Sequence, residues 1–132
     1  MGGHVIRIDV GGLAAKEMCT LVAEAGGDLV QARVVADIVG AREVAQGQAD
    51  YYLGACATGG GGALAMAIAI LGYTNCFTAS MAGRPPKEQE IQKAVAEGKK
   101  AFGFTTDHLN SAVPMIVRAI LAHDRQGTAE DR

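Results

Sequence analysis

The sequence predicts an α/β chain, a three-layer sandwich in which a five-stranded, mostly parallel sheet of the flavodoxin or Rossmann kind carries helices on both faces of a single domain. Three observations predict it. Short strand-like runs alternate five times with helical patterns, which is how βαβ units read in a sequence. Glycines punctuate the junctions, at Gly11-Gly12, Gly26-Gly27, Gly59 to Gly62 and Gly98. The length, 132 residues, suits one domain built on one core.

The elements follow in order. "HVIRIDV" (4–10) alternates and runs into two glycines, as a strand and turn do. "LAAKEMCTLVAEA" (13–25) places Leu13, Met18, Leu21, Val22 and Ala25 near helical spacing and stops at Gly26-Gly27. "LVQARVV" (29–35) is a second strand, and 36–47 a short helix expected to turn Ile38, Val39 and Ala45 inward. "DYYLGAC" (50–56) is a third strand, and the glycine run leads into an apolar helix over 61–71. "YTNCFTA" (73–79) is a fourth, rich in β-branched and aromatic residues. After "GRPP", 87–98 reads as an amphipathic helix, 99–104 as the fifth strand, and 106–123 as a helix kinked or restarted near Pro114, whose ring removes a backbone donor. Residues 1–124 form the domain, and 125–132 a polar, fraying tail. Five such units most often take the strand order 2-1-3-4-5, with ligands beyond the carboxyl ends of the strands.

Composition excludes several classes. The net charge is −2 and the cations are scattered, which leaves no footprint for nucleic acid or an anionic membrane. The longest apolar run, Ala63 to Leu71, falls well short of a bilayer span of about 20 residues. The amino-terminal segment lacks the basic and apolar regions of a signal peptide. Cys19, Cys56 and Cys76 are odd in number and lack C-x-x-C spacing, so neither a disulfide framework nor a zinc site is expected; the expected compartment is the cytoplasm, and no cofactor is implied. Cys19 and Cys76 read as packing residues. "ALAMAIAIL" is apolar on every side and so needs burial on every side, which a sheet on one face and a second subunit on the other would supply; a homo-oligomer, dimer or larger, is expected.

The chemistry gathers where the strands end. "GACATGGGG" places Cys56, Thr58, Gly59, Gly60, Gly61 and Gly62 between a strand and a helix, where unpaired amides and the helix dipole favour an anion and a thiolate. Cys56 is therefore a candidate base or nucleophile, although the same residues also serve a tight turn and close packing around a small buried thiol. No Lys-Ser/Thr follows the glycines, which excludes a nucleotide triphosphatase loop. Asp9 ends the first strand, either as a functional carboxylate or as a tie for the turn. His108 follows Asp107 after the fifth strand, either as a base or as a first-turn surface residue beside a helix cap. Arg84, in "AGRPP", is the best cation for a phosphate or carboxylate, or else a solvated surface charge.

"GQADYYLGACATGGGGALAMAIAILGYTNC", continued by "EGKKAFGF" and "DHLNSAVPMI", closely resembles the YhfU-like family of small bacterial proteins over about residues 40–120, a resemblance that supplies a family and no reaction. The Cys-x-Thr-Gly-x-Gly pattern is more distantly similar to the B-type ribose phosphate isomerases and the related galactose phosphate isomerase subunits. That resemblance implies an α/β dimer acting on a phosphorylated sugar, with Cys56 as the base that moves a proton between adjacent carbons and Thr58 and Gly59 to Gly61 holding the enediolate. The chain departs from the pattern in lacking a histidine beside Asp9, in carrying Ala57 after the cysteine, and in offering only Arg84 for the phosphate. Two functions follow: an isomerase-like protein, or a non-catalytic oligomeric binding protein for a small anionic metabolite.

Overall fold

The computed structural model describes residues 4–57 and 62–130. Among these residues five parallel strands form one sheet: β1 (Ile6–Gly12), β2 (Val30–Val34), β3 (Tyr51–Cys56), β4 (Cys76–Thr78) and β5 (Ala101–Thr105). Five α-helices alternate with them: α1 (Ala15–Gly26), α2 (Asp37–Ala45), α3 (Ala65–Leu71), α4 (Glu88–Ala96) and α5 (Leu109–Glu130). Helix α5 packs on α1 and α4, whereas α2 packs on α3, so three helices cover one face of the sheet and two the other. Right-handed crossovers require this division, because β1 to β2 and β4 to β5 step one way along the sheet, and β2 to β3 and β3 to β4 the other.

The strand order is 2-1-3-5-4, not 2-1-3-4-5. Strand β5, "AFGFT", is buried at every position and fits only between two neighbours. Strand β4 has three residues, and Phe77 and Thr78 are only half-buried, which suits an edge. The expected strand over 73–79 is shortened because Gly72, at φ 90°, ends α3 and a 3-10 turn takes Tyr73–Asn75, with the Asn75 amide donating to the Leu71 carbonyl.

Alternation sorts the strand side chains. Ile6, Ile8 and Val10 of β1, Tyr51, Leu53 and Ala55 of β3, and Phe102 and Phe104 of β5 join Met18, Val22, Ile91, Val95 and Ile116 in the main core. The other face holds a smaller core of Ala41, Tyr52, Leu64, Ala67, Cys76 and Ala101 beneath α2 and α3. That second core is built for close approach. A Cβ on Gly40 would lie 2.4 Å from Tyr52 Cδ1, and one on Gly103 would lie 2.7 Å from Leu64 Cγ.

Expectations for α2 and α5 change here, while α3 is only partly covered in the single chain. In α2 the inward residues are Gly40 and Ala41, while Ile38, Val39 and Ala45 are exposed, because only small residues let the helix settle on the Tyr52 ring. In α3 only Ala67 is fully buried; Ala65, Met66 and Ala69 are exposed in the single chain. Helix α5 does not restart at Pro114, five residues from its start, and it continues to Glu130. The carbonyl that Pro114 leaves unpaired belongs to the exposed Asn110 and is open to water. Among the described residues, no helix is long and apolar enough to cross a membrane.

Candidate functional site

The carboxyl ends of β3, β5 and β4 bring the first candidates together. Register pairs Cys56 with Thr105, so both side chains project from the α2–α3 face of the sheet at its carboxyl edge. Cys56 is half-buried and Thr105 fully buried. Just past β4, buried Ser80 accepts a hydrogen bond from the Thr105 amide (3.2 Å). His108 Nδ1 lies 2.8 Å from Thr105 Oγ1 and 3.0 Å from Ser80 Oγ. Two hydroxyls thus hold one ring nitrogen, and Nε2 has no hydrogen-bond partner among the described residues. The imidazole is 15% exposed, so His108 is neither a surface residue nor a core one. It closes a 3-10 turn, Thr106–His108, whose cap position makes no side-chain hydrogen bond.

Asp107 lies with its Oδ1 3.6 Å from His108 Nδ1. A hydrogen bond from Thr105, followed by the charge of His108, holds its carboxyl below the usual range against the opposing effect of partial burial. The strand end therefore carries a thiol, two buried hydroxyls, an imidazole and an ionised carboxylate. Such a set can accept and return a proton and can donate to an anionic oxygen.

The remaining expectations are placed separately. Thr58, Gly59, Gly60 and Gly61 lie outside the described residues. Gly62 is exposed and opens the turn Gly62–Leu64 before α3, with open space where a Cβ would stand. Arg84 is exposed and closes a tight turn in which Met81 and Arg84 exchange backbone hydrogen bonds of 3.1 and 2.9 Å. Asp9 is not brought to Cys56. It pairs in register with Tyr52, four residues before Cys56, or roughly 13 Å along a strand.

Asp9 instead faces a cavity of about 480 Å³ at the β2 side of the sheet, lined by Arg7, Gln31, Arg33, Glu43 and Gln48 as well. Its side chain is 4% exposed, with Oδ1 3.7 Å from Arg33 Nε, and its Oδ2 has no hydrogen-bond donor among the described residues. Arg33 is bonded to Glu43. Burial first, and then the adjacent Glu43, push the Asp9 carboxyl up to about 7, with Arg33 only partly offsetting them. The sequence gives this group away only as polar residues two apart, Arg7 and Asp9 in one strand and Gln31 and Arg33 in the next, on a face expected to be buried. Beyond Asp9, the Tyr52 hydroxyl donates to Asp37 Oδ1 (2.8 Å), and burial raises its pKa.

Residues 6–120 match the family described as "Protein of unknown function DUF2620". The chain is 37% identical over 111 residues to the uncharacterized protein YhfU of Escherichia coli (strain K12), a match covering 84% of this chain and 95% of that protein. It shows the same identity and coverage against YhfU of Shigella flexneri. Among solved structures it is similar to ribose-5-phosphate isomerase B from Giardia lamblia, with a TM-score of 0.58 and 14% identity over 92% of this chain and 94% of that one. At that identity the likeness is one of fold. Matched from its first strand into its last helix, the chain belongs to the DUF2620 family and is a YhfU-like protein built on the fold seen in ribose-5-phosphate isomerase B.

Proposed function

We propose that this chain is an isomerase-like protein that binds a small phosphorylated sugar at the carboxyl edge of the sheet and uses Cys56 as its base. The observation that carries the reading is the register of Cys56 with Thr105, whose hydroxyl is bonded to His108. A thiolate at Cys56 removes a proton from the carbon beside the sugar carbonyl as the electron pair moves onto the carbonyl oxygen. The resulting enediolate takes the proton back at the neighbouring carbon. His108, through Nε2, donates a proton to the oxygen that gains charge and takes one from the neighbouring hydroxyl as its carbon becomes the new carbonyl, while Ser80 and Thr105 fix its ring. Thr58 and Gly59 to Gly62 cradle the anion, and Arg84 binds the phosphate. The fold shared with a ribose-5-phosphate isomerase supports the substrate class.

The working unit in this reading is a cytoplasmic homo-oligomer. Ile38 and Val39 on α2, Met66 on α3 and the adjoining Tyr73, 76% exposed, leave apolar surface on the α2–α3 layer that a second copy covers. The test is turnover of pentose and hexose phosphates by wild type and Cys56→Ser, alongside thermal shift with each sugar phosphate. Loss of turnover with retained stabilisation supports the mechanism, and unchanged turnover refutes it. The placement of Asp9 away from Cys56 favours one further reading, a non-catalytic oligomeric binding protein for a small anionic metabolite. That reading predicts stabilisation by the ligand without turnover in either protein.

A further inference from the structure

We propose that the Asp9 cavity is a second binding site, separate from the Cys56 site, and that it takes a small molecule bearing a protonated primary amine held at the Asp9 carboxylate. The cavity is large enough, since about 480 Å³ lies in the usual range for small-molecule sites. Its chemistry is incomplete in a specific way. Arg7 donates to the Gly47 carbonyl (2.8 Å) and lies 3.9 Å from Asp50, and Arg33 is bonded to Glu43 and faces Asp9. Both guanidinium groups are thus engaged elsewhere, Arg7 by Gly47 and by Asp50 outside the cavity lining and Arg33 by Glu43, and Asp9 Oδ2 lacks a donor among the described residues.

One cation with N–H groups supplies the missing donor and offsets the charge of the Asp9 carboxylate. A proton meets the same need: burial, and then the hydrogen bond and charge of Glu43, raise the Asp9 carboxyl to about 7 against the opposing effect of Arg33. An ammonium group replaces that proton. A metal ion is a poorer occupant, because the described residues contain no cluster of three or more histidine, cysteine or carboxylate ligands. The side-chain amides of Gln31 and Gln48, both exposed at the cavity, are placed to bind the rest of the molecule. Arg33, 59% exposed, is able to swing aside with Glu43 as the amine enters.

The test uses amide chemical-shift titration of the full chain with ethanolamine, and with ethylene glycol as its neutral counterpart, in the millimolar range expected of so small a ligand. Ethanolamine is expected to shift the Gln31, Arg33 and Gln48 amides and ethylene glycol to leave them in place. Asp9→Asn should weaken ethanolamine tenfold or more, while Cys56→Ser should not change its binding. Gln31→Trp, at an exposed position on the edge strand β2, should block the cavity without unfolding the chain and decides the matter if Asp9→Asn does not fold. Equal response to ethylene glycol, unchanged binding by either cavity variant, or no shift with ethanolamine overturns the proposal.

Discussion

Asp9 carries a linked consequence for stability. Its carboxyl titrates near 7 in the folded chain against an ordinary 3.8, so the folded state binds more protons than the unfolded state between those values. The contribution of neutral Asp9 is therefore complete below about pH 4 and is lost as pH rises through 7. Urea unfolding at pH 5 and pH 8 should show this fall. Asp9→Asn should flatten it and add about 1–3 kcal/mol at pH 8, the cost of a buried charge without a donor. At the strand end, His108→Asn should lower kcat on an accepted sugar phosphate by about 10²-fold or more, with KM little changed, if the imidazole serves the enediolate oxygens. Cys56, Asp9 and His108 were all legible as single residues, because each follows or ends a strand. Their grouping was not, since the partners of His108 are Ser80, 28 residues earlier, and Thr105, and the partner of Arg33 is Glu43 on a helix.

Helix and strand types were legible from pattern, and errors fall where small residues set the geometry. Hydrophobicity alone assigns Ile38 and Val39 of α2 to the core, but the Tyr52 ring admits only Gly40 and Ala41. Gly40→Ala should therefore destabilise despite a helix-propensity gain of about 1 kcal/mol. The new Cβ would stand 2.4 Å from a ring that is 1% exposed and tethered through its hydroxyl to Asp37, so overpacking of about 1–3 kcal/mol or more prevails. Gly103→Ala should cost less, because the Leu64 side chain it meets at 2.7 Å can change rotamer. Chemical denaturation of the two variants ranks them. The mistaken length of β4 has a local cause too: Gly72 and the Asn75 bond to Leu71 take up residues whose composition reads as strand.

Over the whole molecule, the alternation of strands and helices fixes layers and handedness, while the order of the last two strands depends on burial that periodicity does not report. The apolar outer surface of α2 and α3 belongs to this scale as well. If a second copy covers it, Met66→Glu should convert the assembly to monomers in sedimentation equilibrium, whereas Val5→Glu, on another exposed site near the start of β1, should leave its mass unchanged. The interleaved order β3-β5-β4 also dictates a sequence of events during synthesis. When residues 76–78 leave the ribosome, the strand they must pair with is still inside it, and the open edge of β3 waits some 25 residues for Ala101–Thr105 to emerge. A nascent chain that has emerged as far as α4, with β5 still inside the ribosome, therefore exposes an unpaired parallel edge and a stranded β4, and it is at that stage of translation that a chaperone has most to protect.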